Sequence, residues 1–424
     1  MDIQALLDEL YAMTFFGVKP GLERITALCE AADNPQYHLP VIHVAGTNGK
    51  GSVCAMLTAI FRAAGYRTGV YTSPHIRHFN ERIRIDGVPI SDEDIARLAR
   101  PLMDVAKPIG GTFFEVTTAM AFRLFAERHV DVAIIETGLG GRLDATNIVH
   151  PLLSIITSID YDHMEYLGNS LEDIAREKAG IIKPDVAVVI GERRPELRYV
   201  FAEVATRLHA PLDIAHDRLH VDVDAWHPDF TMTVSVIDET FRDYYTTDLC
   251  GQHQAENIAT VMAAVGQLSS TFFLEHRHVR EGLRNVKGLG SLRGRMEPLQ
   301  TSPLLLLDVG HNPAGCRALV DTLRRCGYES VNVVLGAMAD KDVDGMVRAL
   351  APVTSAFHIS APAFPRAMAT SELATVVRQH HMNVIEHPSL AAALDASRHT
   401  DTVCCGSFHV ADEILAAMEK ESSR

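Results

Sequence analysis

Val41-Ile42-His43-Val44-Ala45-Gly46-Thr47-Asn48-Gly49-Lys50-Gly51-Ser52 is an apolar run that empties into a loop of three glycines and one lysine. Residues 41 to 45 read as a buried strand. Beyond the loop, Val53, Met56, Leu57, Ile60 and Phe61 recur at helical spacing until Gly65, so a helix is expected over 52–64. A strand, a glycine loop and a helix in that order make a phosphate cradle. The glycines let backbone N–H groups turn toward one anion, the helix start adds a partial positive charge, and Lys50 adds a full one. The spacing departs from the usual G-x-x-x-x-G-K-[ST] loop: two residues separate Gly46 from Gly49, and Gly51 intrudes between Lys50 and Ser52. Taken alone, the stretch reads equally well as an ordinary glycine turn with a surface lysine, so the rest of the chain must decide.

With 424 residues, the chain is too long for one typical core and suggests two domains; 47% apolar residues suffice to fill both. The start, residues 1 to 13, is amphipathic with Asp2, Asp8 and Glu9, and no apolar run reaches membrane length, so a cytoplasmic protein is expected. Seven cysteines at 29, 54, 250, 316, 326, 404 and 405 form no C-x-x-C pair and several fall in apolar runs; they read as reduced core residues. Lysine and arginine number 39 against 54 acidic residues, a net charge of −15, which argues against a nucleic-acid or membrane surface as partner. The pair His380-His381 lacks spaced partners and is given no role.

Apolar runs at 131–135, 152–156, 186–190, 304–307, 331–335, 355–359 and 401–404 alternate with helical patterns, the signature of α/β layers around mainly parallel sheets. Between 230 and 248 two strands around a polar turn suggest an antiparallel hairpin. Helices are expected over 255–268 and 271–283, followed by Lys287-Gly288-Leu289-Gly290, where the domain boundary is placed: 1–290 and 291–424.

Ligands of such sheets bind beyond the carboxyl ends of strands, and the chemistry-bearing motifs fall there. Tyr71-Thr72-Ser73-Pro74-His75 follows a short strand at 67–71, Glu136-Thr137-Gly138-Leu139-Gly140-Gly141-Arg142-Leu143-Asp144 follows that at 131–135, and Asp160-Tyr161-Asp162-His163 follows that at 152–158. A hydroxyl, a carboxylate and an imidazole beside a triphosphate suit Mg²⁺, although one imidazole is atypical for it. Singly, each has a plainer reading as a turn serine, a strand-end carboxylate and a loop histidine. Lys178 lies on a helix that Ser170 and Asp173 can cap, and its plain reading is a solvated charge. Further on, Asp308-Val309-Gly310-His311-Asn312-Pro313 places a carboxylate and a histidine at another strand end, with Pro313 opening a helix. Arg295, in the segment between the domains, can hold a phosphate by its planar fork.

Together, Gly46-Thr-Asn-Gly-Lys-Gly-Ser, Tyr71-Thr-Ser-Pro-His, Glu136-Thr-Gly-Leu-Gly-Gly-Arg-Leu-Asp-Ala-Thr-Asn, Asp162-His-Met-Glu-Tyr-Leu-Gly and Asp308-Val-Gly-His-Asn-Pro resemble the folylpolyglutamate synthase and dihydrofolate synthase family, within the Mur ligase superfamily. The resemblance spans nearly the whole chain. It implies an α/β protein with an N-terminal P-loop nucleotide-binding domain and a smaller C-terminal Rossmann-like domain, with ATP between them. The implied activity is an ATP- and Mg²⁺-dependent ligase that joins L-glutamate to the carboxylate of dihydropteroate or a reduced folate. By that resemblance Gly46, Thr47, Asn48, Gly49, Lys50, Gly51, Ser52, Asn257, Arg295 and Asp308 form the nucleotide site, and Ser73, Glu136 and His163 hold magnesium. Lys50, Lys178 and His311 are catalytic, with His311 near the γ-phosphate and Lys178 a residue that the family can carbamylate. Thr112, Phe114, Asp144 and Ala145 face the pterin; the plainer reading makes Phe113 and Phe114 core residues. A monomer is expected. The family's Leu-Pro-Gly-Arg is Leu292-Arg293-Gly294-Arg295 here, which leaves Arg293 as a second candidate beside Arg295. The rivals are a cell-wall Mur ligase and a P-loop ATPase.

Overall fold

The computed structural model describes residues 3–13 and 21–422. The amphipathic start is seen from Ile3, where the helix Ile3–Ala12 buries Leu6 and Leu10; residues 1 and 2 lie outside the described part. By contact the chain forms two compact units. One takes in 1–222, 235–245 and 256–291; the other takes in 223–234, 246–255 and 292–424.

The first unit is built on an eight-stranded sheet of β1 (Val41–Ala45), β2 (Thr68–Tyr71), β3 (Ile83–Ile85), β4 (Val88–Pro89), β5 (Val132–Glu136), β6 (Leu153–Ile156), β7 (Val188–Ile190) and β8 (Leu212–Ile214), in the order β4-β3-β2-β5-β1-β6-β7-β8. Strand β1 lies between β5 and β6 and runs parallel to both, as β2 does to β5. All five residues of β1 are buried, as a strand covered on both faces requires. On one face pack Ile3–Ala12, Glu23–Ala31, Asp92–Ile109 and Phe113–Glu127; Leu171–Ala179 and Pro195–Arg207 supply a second apolar cluster with Ile156, Val188 and Ile190. The helix Lys50–Ala63 packs against His276–Arg284, where a side chain on Gly282 would lie 2.6 Å from Ile60 Cα.

Three further strands, β9 (His220–Trp226), β10 (Met232–Ile237) and β11 (Arg242–Thr247), form a sheet in the order β11-β10-β9. The expected hairpin is β10 and β11, its turn closed by Asp238 N–H to Phe241 O at 3.0 Å. In the second unit, β12 (Glu297–Thr301), β13 (Leu304–Leu307), β14 (Val331–Leu335), β15 (Thr354–Ile359), β16 (Val384–Glu386) and β17 (Thr402–Cys405) align as β12-β13-β17-β14-β15-β16, parallel except for β12.

One expected element is corrected. The helix over 271–283 begins only at His276, since Thr271 and Phe272 donate to Leu268 O and finish the preceding helix. Short strands at sheet edges, β3, β4, β8 and β16, carry too few apolar residues to be visible in the periodicity. All seven cysteines are buried thiols, none in a disulfide, with Cys250 Sγ 3.6 Å from Cys326 Sγ. His380 bonds Asp344 at 2.6 Å and His381 bonds Thr354 O at 2.9 Å, contacts within the fold.

Candidate active site

The parallel register sets the carboxyl ends of β2, β5, β1 and β6 side by side, and each end empties into one of the motifs. The loop after β1 turns on Gly46 (φ 147°) and Gly49 (φ 90°), and Gly49 caps the helix Lys50–Ala63. Glycine is required at both for want of space as well. A Cβ on Gly46 would meet Thr157 Oγ1 at 1.8 Å, and one on Gly49 would meet Asn257 Oδ1 at 2.4 Å. Asn257, expected on grounds of resemblance alone, therefore lies against the loop.

Residues 157–160 clamp the loop from the other side. Thr47 N–H donates to Ser158 O at 2.8 Å, Thr157 Oγ1 to Asn48 O at 2.7 Å, and Asp160 N–H to Thr47 Oγ1 at 3.0 Å. The first helical turn then presents its N–H end with Lys50, Gly51 and Ser52. A Cβ on Gly51 would meet no atom of the protein within 4 Å. The glycine absent from ordinary phosphate loops thus leaves room beside the helix start, the position an anion takes.

Two ammonium groups converge on one carbonyl here. Lys50 Nζ donates to Gly46 O at 2.9 Å and to Thr47 O at 3.2 Å, and Lys178 Nζ donates to the same Gly46 O at 2.8 Å. Lys178 is only 3% exposed, which corrects the reading of a solvated helix charge. Its helix Leu171–Ala179, capped by Ser170 as expected, lies with its last turn against the glycine loop, where Arg142 N–H donates to Glu177 O at 2.8 Å. Burial, with the charge of Lys50 second, pushes Lys178 down to about 7, against the pull of Asp162 and Asp144. A large fraction of this amine is neutral, hence nucleophilic, near pH 7.

Glu136, the last residue of β5, is 5% exposed and accepts from Ser73 N–H at 3.3 Å. Carboxylate and serine therefore meet. The same cannot be said of His163, whose ring is half exposed and faces Asp162 Oδ1 at 3.6 Å; among the described residues no hydrogen bond joins it to Ser73 or Glu136. Among the described residues no three His, Cys, Asp or Glu side chains form a metal-binding group. The Glu136 carboxylate, with the Ser73 hydroxyl on the residue that donates to it, fits Mg²⁺ nonetheless, because that ion keeps several waters and takes its remaining oxygens from phosphate.

On the proposed pterin side, Phe114 lies over Gly138, where a Cβ would come within 2.5 Å of its ring, and its centroid is 5.8 Å from that of Tyr71. Phe113 is buried, as the plainer reading had it, and Phe114 half-buried. Thr112 also caps the helix that follows it. Its hydroxyl accepts from Glu115 N–H and donates to Glu115 Oε2 at 2.9 Å, a helix cap that Arg24 completes by pairing with Glu115 at 2.9 Å. Asp144 is buried and accepts from Leu139 N–H at 2.8 Å and from Thr146 N–H at 2.9 Å, so it fastens the glycine loop from within. Burial raises its pKa while those bonds oppose the rise. Ala145 is buried beside it. Behind them Thr146 Oγ1 donates to Asp144 and takes a bond of 2.8 Å from Nε2 of His43. Burial holds His43 down at about 3, so it stays neutral; its place within the apolar run of β1 hid this role.

In the second unit Asp308 follows β13 and is engaged by the backbone, accepting from Gly310 N–H at 2.8 Å and Met296 N–H at 3.0 Å. Asn312 caps the helix Pro313–Arg325 as expected. His311 and Arg295 flank Phe408, with the His311 ring 6.2 Å and the guanidinium 5.6 Å from its centroid. Arg293 instead pairs with Glu297 at 2.5 Å, which leaves Arg295 the better placed of the two arginines for a ligand.

Comparison with known proteins agrees with this geometry. Residues 44–265 match the model of the Mur ligase middle domain, and 294–407 that of the Mur ligase glutamate ligase domain. A dihydrofolate synthase/folylpolyglutamate synthase of Bacillus subtilis is 39% identical over 367 residues, covering 84% of this chain and 85% of its own length. The crystal structure of Escherichia coli FolC in complex with DHPP and ADP superposes with a TM-score of 0.86 at 29% identity, covering 98% of both chains. A bifunctional folylpolyglutamate synthase/dihydrofolate synthase with Mn, AMPPNP and L-glutamate bound is 32% identical, with a TM-score of 0.81 and 98% of both chains covered.

Proposed function

Because the chain belongs to the folylpolyglutamate synthase/dihydrofolate synthase family of Mur ligases, we propose that it joins L-glutamate to the carboxylate of dihydropteroate or a reduced folate at the expense of ATP. The observation that carries this reading is the convergence of Lys50 and Lys178 on Gly46 O beside the Ser73–Glu136 pair, a site built for a highly charged phosphate at the end of a parallel strand.

A carboxylate resists attack by an amine, so it is first activated. One of its oxygens attacks the γ-phosphorus of ATP, the bond to the bridging oxygen breaks, and ADP leaves with that electron pair. Lys50 and the N–H end of the helix Lys50–Ala63 neutralise charge on the phosphates, a task of positioning and electrostatics. Ser73 and Glu136 and, in our assignment, His163 would hold magnesium, which would supply further charge neutralisation to those oxygens. The amine of glutamate then attacks the acyl carbon, phosphate departs, and the amide remains once the amine has lost its proton.

Lys178 has a place in this scheme that its chemistry explains. A neutral amine adds to CO₂ to give a carbamate and a proton, and a lysine held near pKa 7 is far more available for that step than a solvated one. The product is an anion on the residue that faces Lys50. In our assignment Asn257, Arg295 and Asp308 complete the nucleotide contacts, His311 attends the γ-phosphate, and Thr112, Phe114, Asp144 and Ala145 receive the pterin. The ligase domain is taken as 291–424, after a nucleotide-binding domain of 1–290. We place the protein in the cytoplasm as a monomer; no described helix is long and apolar enough to cross a membrane.

The test is phosphate release from ATP with dihydropteroate or tetrahydrofolate, with and without L-glutamate. Release that requires both acceptor and glutamate is expected, and turnover that ignores both would point to a P-loop ATPase instead.

A further inference from the structure

Arg82 closes the short turn Phe79–Arg82 before β3, on the far side of β2 from β5, and has an unusual setting. Its guanidinium lies 5.1 Å from the centroid of the Phe113 ring, and its Nε donates to His75 Nδ1 at 2.7 Å. Tyr11 stacks on Phe113 at 5.4 Å and approaches His75 at 6.3 Å and Phe79 at 6.4 Å. Two rings thus contact a part-buried cation, and Tyr11 and Phe79 pack against them. A bond accepted at Nδ1 leaves the ring proton of His75 on Nε2, so His75 brings no negative charge.

No carboxylate of the described residues comes within ion-pair distance of Arg82. Its chain neighbour Glu81 is committed to the backbone N–H groups of Ile76, Arg77 and His78 at 3.0, 3.1 and 2.9 Å. Burial disfavours the charge of Arg82, while Tyr71, Tyr11, Glu136 and Glu81 favour it without forming an ion pair. A largely buried cation without an ion pair is costly, and its planar fork matches a carboxylate in two-point fashion. His75 stands two residues after Ser73 in the same loop, so the guanidinium belongs to the neighbourhood where an acceptor must present its carboxylate.

We propose that Arg82, fixed by His75 and the Phe113 ring, binds a carboxylate of the acceptor substrate. This rests on the ligase reading above. Two carboxylates qualify: the one that reacts, present on dihydropteroate and folates alike, and the non-reacting α-carboxylate that only a glutamylated folate carries.

Arg82→Gln and Arg82→Lys in the full chain, assayed at saturating ATP and glutamate, separate the possibilities. For Arg82→Gln the acceptor KM is expected to rise about 10- to 100-fold, the scale of a lost charge-assisted bond, with ADP affinity by calorimetry within about twofold of wild type. Arg82→Lys keeps the charge without the fork and recovers part of the loss. A rise with both dihydropteroate and tetrahydrofolate assigns the reacting carboxylate; a rise with tetrahydrofolate alone assigns the α-carboxylate. An unchanged acceptor KM overturns the proposal. So does a parallel fall in acceptor affinity, ADP affinity and melting temperature, the mark of a structural counter-charge to Glu136. Phenylglyoxal labelling of the wild-type protein needs no variant to fold: dihydropteroate or tetrahydrofolate should shield Arg82 while ADP does not, as read by mass spectrometry, and equal labelling with and without acceptor counts against the role. Wild type without acceptor-dependent phosphate release would remove the ligase reading itself, a failure distinct from these.

Discussion

The loop after β1 and the segment after β13 are both strand ends leading into a helix, yet they handle charge in opposite ways. At the first, Lys50 and Lys178 press two ammonium groups onto one carbonyl, and burial with mutual repulsion brings Lys178 to about 7. At the second, Asp308 is satisfied by two backbone N–H groups and holds Gly310 and Met296 in place. The first region concentrates charge of one sign for a ligand of the other sign. The second spends its charge on shaping the loop, and offers Arg295 and His311 around Phe408 for contact. The same motif grammar of a strand end with a charged residue therefore covers a reactive site and a frame.

If that contrast is right, Lys50→Ala should be the most damaging change. Phosphate release is expected to fall by about a thousandfold or more while circular dichroism and melting stay near wild type, because a side chain directed at the phosphates contributes mainly to the transition state. Turnover within tenfold of wild type would break the comparison.

Lys178→Met comes next, with a loss of roughly a hundredfold in the same assay and an opposite effect on stability. The folded chain holds this amine near 7 against 10.5 for an ordinary lysine, so between those values the unfolded chain binds the extra proton and stability rises with pH. Below about 7 both states are protonated and the destabilisation is at its full size. Removing the amine should therefore raise the melting temperature most at pH 6, with the gain fading toward pH 10.5. Gly46 O would keep its bond from Lys50. A gain independent of pH would show that Lys178 is not held down as described.

Asp308→Ala should weaken structure and activity together, since two N–H groups lose their acceptor. About 1–3 kcal/mol of stability and roughly a tenfold loss of turnover are expected from denaturant unfolding and the phosphate assay. A large kinetic loss at unchanged stability would instead show that the nucleotide contact assigned to Asp308, and not its hold on the loop, is what turnover depends on. Gly51→Ala is the finest probe. The added methyl meets no protein atom and improves helix propensity, so stability should rise by up to about 1 kcal/mol while the KM for ATP increases several-fold, about as expected of a methyl placed in ligand space.

Much of this was legible in the sequence because it depends on local chemistry. Gly46 and Gly49 announce a turn, Ser170 and Asn312 announce helix caps, and long apolar runs announce the buried strands β1, β5, β13 and β14. Where local chemistry was weak the reading lost precision, as at the short edge strands and at the helix that begins only at His276. Thr112, which the resemblance set at the pterin, also caps its helix through Glu115, a local role that the T-x-x-E spacing carries.

Sequence alone determined the element types, their alternation and the alignment of motifs with strand ends, because backbone conformation and apolar periodicity are encoded over a few residues. Tertiary structure alone decided the electrostatics. Gly46 and Lys178 are 132 residues apart and Arg24 and Glu115 are 91, and only the closed sheet with its packed helices brings such groups to one point. Burial, which turned Lys178 from a solvated charge into a half-neutral amine and set Arg82 against the Phe113 ring, is a property of what packs around a residue and is written nowhere in its neighbours along the chain.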